Sequence, residues 1–203
     1  MVQAILMAMS VTKAQLEEAI RQLKQGGVVI FPTETSYGIA CDATNHQAVE
    51  RVMRIKQRSD TMPMALIIAD MSMAQWCGQL DPALEELAKR HWPGPLTVVV
   101  PNANRDLSPL CLRDGTVGLR ISSHPIAHAL TEGLGKPIVA TSANRSGCPS
   151  AYSVAEIQEQ FANQQDQPDL YLDGGTLEPS PPSMIIELVN GEIVVHRQGS
   201  FKL

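Results

Sequence analysis

Aromatic side chains are scarce in this sequence, with three Phe, three Tyr and two Trp among 203 residues. A broad nucleic-acid surface needs clustered cations to neutralise phosphates and aromatic rings to stack bases. The net charge of −5 at pH 7 therefore argues against that class. The phosphate-binding fingerprints GxxxxGK[ST] and GxGxxG are both missing, so a nucleotide would have to be held by another construction. Cys41, Cys77, Cys111 and Cys148 form no CxxC or Cys/His ligand pattern, which leaves no metal site to expect. With no secretory signal, they read as reduced thiols of a cytoplasmic protein. The apolar start, Val2 to Met9, is too short for a membrane span or a signal core with its flanks.

What is present is ordinary for a globular chain, 44% apolar and 18% charged. No internal repeat or long linker divides it, so residues 1–203 are expected to form a single domain. Thr12 followed by Gln15 predicts a capping box, and Leu16, Ala19, Ile20 and Leu23 an apolar helix face that Gly26-Gly27 ends. Val28 to Phe31 reads as a buried strand that Pro32 ends, delivering Thr33, Thr35, Tyr37 and Gly38 to a loop. Asn45 then caps a helix with Val49, Val52 and Met53 inward. Further strands are expected at Met64–Ala69, Leu96–Val100, Val117–Ile121, Ile138–Ala140, Leu170–Leu172, Met184–Leu188 and Ile193–Arg197. Helices should open at Asp81-Pro82 and His124-Pro125, and at Ser153, whose partner Glu156 completes a second capping box. This alternation predicts an α/β fold, a twisted open mixed sheet with helices packed on it.

The candidate chemistry sits at element ends. Lys56 and Arg58 close the second helix. They either complement its dipole in solvent or leave it together to clamp an anion such as a triphosphate. Arg120, alone among apolar neighbours, either points to solvent or reaches an anion in a cavity. Thr141 to Gly147 follows a strand with hydroxyls, an amide and a glycine, which can present oxygens and N–H groups to a phosphate or purine edge. Ser and Asn are equally the ordinary residues of turns. Gathered in one crevice, Lys56, Arg58, Arg120 and Arg197 would focus an anionic ligand inside an acidic protein.

The series Pro32-Thr33-Glu34-Thr35-x-Tyr37-Gly38, Lys56-x-Arg58, Pro93-Gly94-Pro95-x-Thr97, Gly118-x-Arg120, Ser142-Ala143-Asn144-x-Ser146-Gly147, Pro182-Ser183 and Arg197-x-Gly199 resembles the YrdC-like family of threonylcarbamoyl-adenylate synthases. The resemblance runs in the family's order over nearly the whole chain. It implies an α/β open sheet around a large, positively charged cavity. It also implies a nucleotidyltransferase that joins L-threonine, bicarbonate and ATP into threonylcarbamoyl-AMP with release of pyrophosphate. A downstream transferase complex would then modify adenosine 37 of tRNA, and Mg²⁺ would arrive as the counter-ion of ATP. By motif, Lys56 and Arg58 would hold the triphosphate and act in catalysis, while Thr116, Ser142, Asn144, Ser150 and Arg197 would surround the nucleotide. Thr35, Arg120, Ala140 and Ser183 would receive threonine, with Arg120 suited to its carboxylate. Met62, Ile67 and Met184 depart from the family's usual polar residues. A paralogue without the synthase step and a module that binds tRNA or double-stranded RNA, weakly at most, are the competing readings.

Overall fold

The computed structural model describes residues 11–58 and 64–201. Val2–Met9 and Met62 lie outside them. Thr12 caps α1 (Lys13–Lys24) through the expected reciprocal pair, with Gln15 N–H donating to Thr12 Oγ1 and Thr12 N–H to Gln15 Oε1. Two fully buried faces explain why β1 (Val29–Pro32) is continuously apolar. Val29 and Phe31 pack with Leu16, Ala19 and Leu23 of α1, whereas Ile30 joins the larger core on the other face.

The expected loop after Pro32 is only partly a loop. Pro32 stays in the strand, and Tyr37 and Gly38 begin β2 (Tyr37–Ala40), which pairs antiparallel with β1. Only Thr33–Ser36 turns, closed by Thr33 Oγ1, which donates to Ser36 O at 2.7 Å and accepts the Thr35 and Ser36 N–H groups. All four residues of β2 are buried, so it offers no polar–apolar alternation to read. A Cβ on Gly38 would stand 2.9 Å from Cε1 of Phe31, itself fully buried. Gly38→Ala should therefore cost about 1–3 kcal/mol of stability, read as a lower denaturation midpoint at unchanged slope.

Asn45 caps α2 (His46–Lys56) by accepting the Ala48 N–H. The chain continues through β3 (Leu66–Ile67), shorter than expected, and α3 (Met71–Cys77), which was not expected. Asp70 caps α3 by accepting the Met73 N–H at 2.8 Å, but seven residues with two buried positions give little periodicity to read. Then come α4 (Pro82–His91), β4 (Leu96–Val100), β5 (Val117–Arg120), α5 (Pro125–Leu134), β6 (Ile138–Val139) and β7 (Thr141–Ser142). The described chain closes with α6 (Val154–Phe161), β8 (Leu170–Tyr171), β9 (Met184–Val189) and β10 (Glu192–Arg197). At α6 the Glu156 carboxylate accepts the Tyr152 N–H rather than that of the cap Ser153, so the second capping box reaches one residue too far.

The mixed α/β architecture is the expected one, with its strands divided between two sheets. One has the order β7-β2-β1-β8 and the other β10-β9-β4-β5-β3-β6. The chain crosses between them from β2 to β3, from β6 to β7 and from β8 to β9, and the β6–β7 crossing takes a single residue, Ala140, whose N–H donates to Ala65 O at 2.9 Å. Gly38 of β2 pairs with Ser142 and Leu66 of β3 with Val139. The polar segment Thr141–Asn144 is thus held between the β1–β2 turn and the end of α2.

Candidate active site

A cavity of about 330 Å³ opens among these segments. The β1–β2 hairpin contributes Thr33, Thr35, Ser36, Tyr37 and Gly38, β3 contributes Leu66 and Ile67, and the crossing contributes Ala140, Thr141 and Ser142. Arg58, Thr97, Arg120, Ser150, Tyr152, Ser180, Ser183 and Arg197 complete its polar wall. Three arginines face it and, among the described residues, no carboxylate lines it, so this wall favours anions.

Lys56 and Arg58 part at the helix end. The Arg58 N–H bonds Met53 O and the Gln57 N–H bonds Arg54 O, the paired carbonyl caps of a Schellman turn, with Gln57 at φ 51 in the left-handed position that glycine usually takes. The turn sends Lys56 inward and Arg58 toward the cavity. Lys56 is 2% exposed and donates to Ser142 O, Asn144 O at 2.7 Å and Asn144 Oδ1 at 3.4 Å. Burial, and secondarily Arg58, lower its pKa to about 7, while three oxygen acceptors favour the charged form. Lys56 thus braces the cavity wall from behind. Arg58 lines the wall itself, with Nη1 donating to Thr141 Oγ1 at 3.3 Å, and burial lowers its pKa. Neither cation is the solvated last-turn charge of the dipole reading.

Asn144 also stands behind the wall. Its Oδ1 accepts from Ser142 Oγ and its Nδ2 donates to Cys148 O at 2.6 Å, so it shapes the loop that presents Ser142 and Ser150. The structure does not bring Thr116 to the cavity. Its hydroxyl donates to Arg113 O at 2.7 Å, closing the turn before β5. Met184 buries its side chain in the core and Ile67 lines the cavity.

Arg120 does not point to solvent. At 8% exposure its Nη2 lies 2.6 Å from Glu34 Oε2, but not in line for a hydrogen bond, and Nε finds no acceptor among the described residues. Burial works to raise the Glu34 pKa, but Arg120 and Ser122 outweigh it and hold the carboxyl below its ordinary range. Arg197 is fixed on Ser183, with Nε donating to the carbonyl and Nη2 to Oγ, both at 2.8 Å, and Ser183 Oγ shares a 2.9 Å hydrogen bond with Thr97 Oγ1. Burial first, then Arg120, lowers the Arg197 pKa. The sequence marked Ser183 only through the family resemblance and Arg197 only as a member of a cation group at element ends, and it carried no sign of the Glu34–Arg120 or Ser183–Thr97 contacts.

Residues 21–199 match the family model Sua5_yciO_yrdC, described as "Telomere recombination". A threonylcarbamoyl-AMP synthase of Saccharophagus degradans is 35% identical over 89% of this chain and 93% of its own. Among solved structures, P. abyssi Sua5 complexed with L-threonine superposes with a TM-score of 0.83 at 34% identity, over 91% of this chain. This chain spans only 54% of that Sua5. E. coli YciO superposes with a TM-score of 0.82 at 29% identity, over 94% of this chain and 92% of its own. With a family model covering most of its length and a relative 35% identical over 89% of it, this chain belongs to the Sua5/YciO/YrdC family.

Proposed function

We propose that this protein is an L-threonylcarbamoyl-adenylate synthase, which consumes L-threonine, bicarbonate and ATP and releases pyrophosphate. The observation that carries the proposal is the convergence of Arg58, Arg120 and Arg197 on one cavity, with no lining carboxylate among the described residues. Bicarbonate, ATP and both phosphate-bearing products are anions and need that arrangement. The threonine carboxylate meets Arg120 where that residue lines the cavity, beside Thr35, Ser183 and Ala140 of the same lining. Nucleotide and triphosphate fall to Arg58, Ser142, Ser150 and Arg197, with Lys56 and Asn144 shaping the wall they rest on.

The threonine amine forms an N–C bond to the bicarbonate carbon as water leaves, and an oxygen of the resulting carbamate attacks the α-phosphorus of ATP. The bond from that phosphorus to the bridging oxygen of pyrophosphate breaks. Such a transfer needs positioning and charge neutralisation more than a covalent nucleophile. Mg²⁺ enters with ATP, held by phosphate oxygens and water, because the described residues of the cavity offer hydroxyls and guanidinium groups rather than carboxylates. A tRNA threonylcarbamoyl transferase complex would take the product.

Pyrophosphate release should require threonine and bicarbonate together. Threonine should also outrun serine and valine. Serine forfeits the packing of one methyl, roughly 1–3 kcal/mol, and valine leaves a polar group of the site without its partner. Initial rates with each amino acid at equal concentration test this assignment, and equal turnover of all three would remove threonine from it.

A further inference from the structure

We propose that Glu34 is a positioning residue for the amino-acid substrate, acting through Arg120 as its fixed counter-ion without entering the cavity. The inference rests on the reading above that Arg120 receives the threonine carboxylate. A guanidinium 8% exposed in a wall that carries two other arginines needs a compensating charge. A lining carboxylate would supply it at the cost of repelling anionic substrates. Glu34 supplies it from behind, because Arg120 lines the cavity and Glu34 does not.

The contact geometry suits that role. Glu34 Oε2 stands 2.6 Å from Nη2, on the buried side of the guanidinium, where Nη2 and Nε are shut off from the cavity, so the charge is balanced away from the face that meets the substrate. Glu34 is itself fixed from the far side. Its Oε2 accepts from Ser122 Oγ and its Oε1 accepts the Ser123 N–H at 3.3 Å. Both anchors lie just beyond the β5 strand that carries Arg120, so carboxylate and guanidinium are held on one short piece of backbone. Nearby His124 is kept from charging, since burial lowers its pKa to about 4 against the opposing pull of Glu34. Arg120 is therefore the cation that Glu34 balances.

Glu34→Gln keeps the shape and one acceptor oxygen but removes the charge. Calorimetric titration of the full chain with L-threonine, L-threoninamide and ATP separates the possible roles. The native protein should bind threonine more tightly than the amide, which lacks the carboxylate. Glu34→Gln should weaken threonine about tenfold, leave ATP within about twofold, and shrink the threonine-to-threoninamide ratio by about the same tenfold. Glu34→Asp, which keeps the charge at shorter reach, should recover part of that ratio and serves if the glutamine variant does not fold. Equal weakening of threonine and threoninamide would make Glu34 merely structural and overturn the proposal. So would an unchanged or larger ratio, which would mean that Glu34 only competes with the ligand. A native protein that fails to distinguish threonine from its amide would instead bring down the amino-acid assignment of Arg120, and this inference with it.

Discussion

Arg58→Lys should release pyrophosphate at least about tenfold more slowly than the native protein, and Arg58→Ala about a hundredfold more slowly, from roughly 1.4 and 2.7 kcal/mol of lost transition-state binding. The lysine variant keeps the charge, so the loss isolates geometry. A guanidinium can fork two phosphate oxygens in one plane, while an ammonium binds as a point charge. The Schellman turn at Gln57 already removes Arg58 from the helix and burial already lowers its pKa. Against a helix dipole in solvent, the same change would alter stability by a few tenths of a kcal/mol and activity hardly at all. Melting curves should show native stability for Arg58→Lys without ATP and a smaller rise on adding it. A fully active lysine variant with an undiminished ATP-induced rise would contradict the triphosphate contact.

Lys56→Met should behave in the opposite way, losing stability before any substrate is added. The substitution fits the buried volume but leaves Ser142 O, Asn144 O and Asn144 Oδ1 without their shared donor. Stranding buried acceptors costs about 2–4 kcal/mol here, since relief from burying an ammonium offsets only part of the loss. The midpoint of chemical denaturation should fall accordingly, and activity should fall with it because Ser142 and Ser150 lose the backing that presents them. Native stability in Lys56→Met combined with a rise in KM for ATP alone would instead place the Lys56 ammonium directly on the phosphates.

The contrast between these neighbours marks where sequence reading stops. Caps were legible because their chemistry is local, and Thr12, Asn45 and Asp81 each accept the N–H groups their position requires. The long apolar strand at Leu96–Val100 was legible for the same reason. By contrast, the abrupt crossing from β6 in one sheet to β7 in the other is made at Ala140, an unremarkable residue in a short apolar run. Lys56 and Arg58 were seen as one motif because the left-handed turn between them is made by Gln57, which carries no turn signature. Thr116 was named for the cavity through the family resemblance and Lys56 and Asn144 first through their places at a helix end and in a polar loop, and their side chains meet Arg113, the Ser142 loop and Cys148. Glu34 lay in view within the first motif, but the Arg120 that gives it meaning is placed by sheet topology and not by spacing.

The measurement that bears most directly on the synthase reading is an incubation of the protein with ATP, Mg²⁺, bicarbonate and L-threonine, followed by chromatography and mass analysis. Threonylcarbamoyl-AMP and pyrophosphate should form in equal amounts, and both should disappear when either threonine or bicarbonate is left out. Pyrophosphate formed at the same rate without threonine, or a folded, ATP-binding protein that yields no adenylate under these conditions, would contradict it.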